Sequence, residues 1–172
     1  CIRDRFPARF QLIAAMNPCP CGYQGSPSHS CRCTPDQVHR YQAKLSGPLM
    51  DRIDLHIDVP ALSAHELLSS PAGESTDSIR SRCHQARARA VARQGLPNQS
   101  LNGNAIDEHT RLDPAGAKFL QSAAAQLGWS ARSTHRTLKI ARTIADLAGT
   151  QDTGMAHVAE AMQYRRVLRT AT

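Results

Sequence analysis

Four cysteines fall within fifteen residues as two Cys-x-Cys pairs, Cys19/Cys21 and Cys31/Cys33. In a reducing compartment, thiols clustered this way point to a metal before a disulfide. Four thiolates match a zinc site in number, although paired ligands mostly have two or more residues between them. Zinc–sulfur bonds of about 2.3 Å put tetrahedral sulfurs about 3.8 Å apart, whereas extended residues two apart are separated by about 6.6 Å on one face. Side chains leaning together across a bent Cys19-Pro20-Cys21 would close that gap. The intervening residues, with Gly22 and Gly25, would then form a small knuckle, with His29 as a replacement ligand and free thiols as the alternative. Cys1 and Cys83 read as structural or incidental, Cys83 because it falls on an apolar helix face.

Three further positions carry groups suited to phosphate. Asn17 follows an apolar run, where an amide can orient a water against a γ-phosphate; Asn-Pro is also a common strand exit, so a turn former is the other reading. Arg52, flanked by Leu49, Met50 and Ile53, would protrude from a packed turn, or else pair with Asp51 or Asp54. Arg132, Arg136, Lys139 and Arg142 recur at helical spacing as one basic stripe, of which at least two members are expected to be solvent-exposed. Arg132 opens that helix, a favoured place for phosphate, and Arg136 is the substitute if the register is shifted.

The elements that must position these groups change character along the chain. Phe10–Ala15 reads as a buried strand stopped by Asn17-Pro18, and Leu55–Val59 alternates as a second strand before Pro60. Between them, Thr34-Pro35-Asp36 starts a helix running to about Leu45, and Leu49–Ile53 forms a short helical turn. Two strands make no stable sheet alone, so residues 1–60 read as the end of a larger α/β sheet, with a Cys-rich knuckle at 18–34. From residue 61 the pattern is helical. Helices are expected from Asp77 to Gln94 with Ile79, Cys83, Ala86 and Ala90 on its apolar face, from Asp113-Pro114 to Gln126, from Ser130 to Ala148, and from Met155 to Leu168. The polar stretch LPNQSLNGNA is expected to be a flexible loop.

With 41% hydrophobic and 20% charged residues, the chain is globular rather than disordered. Aromatics make up 4%, so Leu, Ile, Val and Ala must build the core. The net charge of +7 favours polyanionic partners such as nucleic acid. No apolar run approaches the roughly 20 residues that span a bilayer, and a soluble cytoplasmic protein is expected.

The segment Phe6–Gly22 (FPARFQLIAAMNPCPCG), together with CRCTPDQ at 31–37, SGPLMDRIDLH at 46–56 and RTLKIARTIADL at 136–147, resembles the ComM/YifB-type magnesium-chelatase-like AAA+ ATPases, in the order that family has. The resemblance implies an α+β, mainly α-helical architecture: the remnant of an AAA+ α/β core (1–60) followed by a C-terminal helical lid (61–172). It implies that Asn17 is sensor 1, that Arg52 is an arginine finger serving a neighbouring subunit's ATP, and that Arg132 is sensor 2. A finger of this kind supplies roughly 10³–10⁵ in rate, about 4–7 kcal/mol. It further implies ATP with magnesium, assembly into a ring, a hexamer by expectation, and a DNA helicase or branch-migration role in competence and recombination.

No G-x-x-x-x-G-K-[ST] occurs, nor a strand ending in an acidic pair for magnesium. The chain is therefore expected to be a fragment that neither binds ATP tightly nor hydrolyses it alone. Two readings from other classes stand beside the motor: a zinc-containing basic nucleic-acid-binding module, and a helical interaction domain whose basic surface maintains solubility.

Overall fold

The computed structural model describes residues 10–26 and 28–165. The chain divides into two compact units, Cys1–Lys44 and Leu45–Thr172. The first contains α1 (Pro35–Gln42), opened by a reciprocal cap in which Thr34 accepts from the Gln37 N–H and Gln37 accepts from the Thr34 N–H. The second contains α2 (Gly47–Arg52), α3 (Ala64–Ser69), α4 (Thr76–Gln94), a 3-10 turn at Asn98–Ser100, α5 (Asn104–Thr110), α6 (Pro114–Leu127), α7 (Ala131–Ala148) and α8 (Met155–Gln163). The expected helices are all present. α1 ends at Gln42 rather than Leu45, and α8 gives way at Tyr164, with Leu168 outside the described residues.

The caps explain the boundaries. Ser130 accepts from the Ser133 N–H at the start of α7, and Gly149, in the left-handed region at φ 76°, returns its N–H to the last turn. α7 is the central element, packing against α4, α5, α8 and the 3-10 turn, while α6 packs on α8. Leu101, Ile106, Leu120, Leu138, Ala141, Val158 and Ala161 form the core. The alanines of α7 and α8 let the helix backbones approach closely. Gly116 on α6 serves the same end, since a Cβ there would lie 3.2 Å from the Thr153 carbonyl oxygen.

Three expectations are corrected. The buried strand at 10–15 is instead exposed, with Phe10 at 80% and Ile13 at 84%, and within 55–59 only His56 is half-buried, with Val59 at 86%. Among the described residues the β pairing consists of one isolated bridge, Leu112 to Thr153; the 55–59 segment is met by a single backbone bond, the His56 N–H donating to the Tyr164 carbonyl at 2.7 Å, and no described strand pairs with either segment. The stretch expected to be a flexible loop is packed: it carries the 3-10 turn and the start of α5, and Leu101 is only 2% exposed. On α4, Ala86 and Ala90 are buried but Ile79 and Cys83 are exposed, because the helix meets α7 through its C-terminal half. No helix among the described residues is long and apolar enough to cross a membrane.

Candidate metal centre and arginine cluster

The knuckle brings its four thiols to one point. Cys19 Sγ lies 3.4 Å from Cys21 Sγ and 3.7 Å from Cys31 Sγ, and Cys21 and Cys31 are 3.6 Å apart. With Cys33, all four sulfurs fall within 4.8 Å of one another. The bend that closes the short pair is a turn in which the Gly22 N–H donates to the Cys19 carbonyl at 3.0 Å, with Gly22 at φ 82°. The separations are close to those of a tetrahedral thiolate set, and soft sulfur donors in that geometry suit zinc. His29 stays outside the group: it stacks on Tyr23 with ring centroids 4.8 Å apart and bonds the Ser28 hydroxyl.

Crowding splits the thiol acidities. Backbone N–H groups of Tyr23 and Arg32 bring Cys21 down to about 6. At Cys33 a backbone bond from Cys21 favours the thiolate, but the neighbouring Cys21 sulfur, burial and the other two thiols outweigh it and push the group up to about 12. Four thiolates thus repel each other unless a cation sits among them.

In the second unit, α2 and the first turns of α7 form an arginine cluster around two carboxylates. Asp51 accepts from Ser133 Oγ at 3.2 Å and pairs with Arg165 at 3.5 Å and Arg132 at 3.8 Å. Arg136 Nη1 donates to Asp54 Oδ1 at 2.8 Å and to the carbonyls of Asp51 and Arg52, closing the C-terminal end of α2. Arg52 itself is exposed, and among the described residues no ion pair engages its guanidinium. Arg132 has 54% of its side chain exposed.

Asn17 is an exposed residue of the first unit, with its amide nitrogen 3.6 Å from where a Cβ on Gly22 would be. The tight turn of the knuckle thus lies directly against it. Arg52, Arg132 and Arg136 are brought together around α2, whereas Asn17 belongs to the other compact unit.

The basic stripe on α7 is not the solvated face that its spacing suggests. Only Arg132 is exposed; Arg136 and Lys139 are half-buried, and Arg142 has no exposed surface. Arg142 instead donates to Asp146 at 2.9 Å and to the carbonyls of Thr150 and Gln151 beyond the helix end. Sequence reasoning also missed Arg165, whose side chain is 6% exposed; it reaches Asp51 from 114 residues away, and no local spacing signals such a contact.

The chain is matched by two family models in succession: "Magnesium chelatase, subunit ChlI" over residues 2–67 and "Magnesium chelatase, subunit ChlI C-terminal" over residues 73–165. It therefore belongs to the magnesium chelatase subunit ChlI family, within which its helical second unit carries the C-terminal module. Among its relatives, the competence protein ComM of Haemophilus influenzae is 44% identical over 96% of this chain. The uncharacterized YifB proteins of Salmonella typhimurium and Escherichia coli are 43% and 42% identical over 95%. In each case the match covers 32% of the relative, so the chain spans about a third of the length of these proteins.

Proposed function

We propose that this chain is the C-terminal part of an AAA+ ATPase subunit of the ComM type, in which Arg52 is the arginine finger, Asn17 sensor 1 and Arg132 sensor 2. ATP and magnesium are held by residues outside this sequence, and the active form is a ring, a hexamer by analogy, because a finger serves a site on another subunit. In this reading the ring is a cytoplasmic DNA motor of the helicase or branch-migration class, a role supported by the competence protein among the relatives and by the net charge of +7. The Cys19, Cys21, Cys31, Cys33 cluster holds a structural zinc ion.

One observation supports the finger above the others. The carboxylates next to Arg52 are both engaged by arginines from elsewhere, Asp51 by Arg132 and Arg165 and Asp54 by Arg136, which leaves Arg52 exposed and without an ionic partner among the described residues. An arginine held out of ion pairs on a fixed turn is arranged to meet an anion supplied by another molecule. The test is to mix wild-type and Arg52→Ala full-length proteins and follow ATP hydrolysis. The expected outcome is a non-linear loss, because each altered subunit also silences its neighbour's site; a loss strictly proportional to the altered fraction rejects the finger.

A further inference from the structure

Beside the metal cluster the first unit has an open concavity of about 600 Å³, walled on one side by Cys21 and Cys33 and on the other by α1. Arg32, Arg40 and Lys44 converge on it, together with Tyr41. All three cations are exposed, and among the described residues none of them makes an ion pair. The lining contains no carboxylate; Asp36, the one acid between residues 10 and 44, is not part of it. Three unpaired cations on a concave wall, with a half-buried aromatic ring among them, make a surface for a phosphate chain whose bases can stack.

We propose that this groove binds single-stranded nucleic acid, with Arg32, Arg40 and Lys44 on successive phosphates and Tyr41 against a base. The groove has a single aromatic platform, which suits one strand rather than a duplex. Its walls are fixed from several directions. Arg32 stands between two of the clustered cysteines, so its backbone is set by the metal cluster. Arg40 lies in the last turn of α1 and Lys44 in the turn just beyond it, and α1 starts at the capped Thr34 directly after Cys33 and is tied back to the knuckle by Gln42 Nε2 donating to the Pro18 carbonyl at 3.3 Å. Four thiolates around a divalent ion leave a negative centre, which one nearby cation offsets; three cations without ion-pair partners among the described residues, lining the same open groove, call for an external polyanion. Binding by this groove therefore depends on the metal as well as on the cations.

The proposal rests on the zinc reading above but not on the ATPase roles. The experiment measures binding of the zinc-loaded chain to fluorescein-labelled oligo-dT across a salt series, beside R40Q/K44Q, R32Q and Tyr41→Leu, with zinc content determined on every sample. Each lost cation is expected to make the plot of log K against log salt shallower by about 0.7, and Tyr41→Leu to weaken binding roughly tenfold at unchanged slope. Chelation should abolish binding and zinc should restore it. Zinc-loaded R40Q/K44Q with the wild-type affinity and slope overturns the groove, as does full binding by chelated protein. Tighter binding of a duplex, with steps of about 0.9 per cation, overturns the single-strand assignment. A chain that retains no zinc rejects the metal reading instead, and the zinc analysis keeps that failure distinct.

Discussion

Asp146 has 1% of its side chain exposed and accepts from three side chains: Arg93 in a two-pronged contact at 2.6 and 2.9 Å, Asn98 at 2.8 Å and Arg142 at 2.9 Å. Burial acts to raise its pKa, but the bonds from Arg93 and Asn98 and the charge of Arg142 overcome it and hold the carboxyl below the usual carboxylate range. A depressed native value means that the ionised form stabilises the fold above the unfolded value of about 3.9, and that this contribution is lost as pH falls through the lower native value. Asp146→Ala leaves two arginines buried without their counter-ion and should cost about 3–5 kcal/mol. Chemical denaturation at neutral pH checks the magnitude, and the gap between wild type and variant should narrow below about pH 4. The same residues show where a sequence stops being legible. Arg142 and Asp146 stand four apart as any exposed helical pair would, and only the fold around α7 reveals that this pair is the polar centre of the core. The meeting of the four cysteines, by contrast, is legible in the sequence, because two Cys-x-Cys pairs joined by a short Gly-containing stretch need little of the remaining chain to come together.

At the scale of elements, α2 is a six-residue helix whose end is closed by a side chain from α7, since Arg136 spans the carbonyls of Asp51 and Arg52 and the carboxylate of Asp54. With Arg52 as the finger, Arg136 is a positioning residue: it fixes the backbone that aims the finger without touching nucleotide. In the full-length protein Arg136→Ala is expected to lower kcat for ATP hydrolysis roughly tenfold with little change in KM, and Arg136→Lys, which keeps the charge but not the planar fork, to recover only part. A raised KM at unchanged kcat would place Arg136 on the nucleotide instead. Helices such as α4, α6 and α7 were legible because Ser75, Asp113 and Ser130 cap them and Gly95, Gly128 and Gly149 stop them, all local chemistry. The exposure of the segment at 10–15 is not legible in its apolar run, because a strand's environment is set by its neighbours and no described strand pairs with it; the alternating run at 55–59 likewise has no strand partner, only the bond from the His56 N–H to the Tyr164 carbonyl. The stretch at 96–105 was misjudged for the converse reason: its Asn and Gly residues resemble a loop, while Leu101 and Ile106 anchor it in the core.

On the scale of the molecule, the two units rest on different physics. The second has a contiguous core of leucine, isoleucine, valine and alanine and a buried ion network, enough to hold a fold through burial alone. In the first, Cys19 is the one buried residue among those described, so there is almost no apolar core to offset the entropy of ordering the knuckle. With zinc in the proposed site its stability comes from bonds to the ion, as in small metal domains whose binding free energy, about 10–16 kcal/mol for zinc, is also their folding free energy. Chelation is therefore expected to abolish protection from proteolysis and hydrogen exchange across residues 18–44 while leaving the thermal transition of the second unit where it was. Cys31→Ser should do the same with zinc present. The Cys19 sulfur lies within 4 Å of two others, so loss of any one ligand opens the cluster rather than shifting the load to a neighbour. Protection of residues 18–44 that survives both chelation and Cys31→Ser would mean that the knuckle folds without metal, and the thiols would then be ordinary free cysteines.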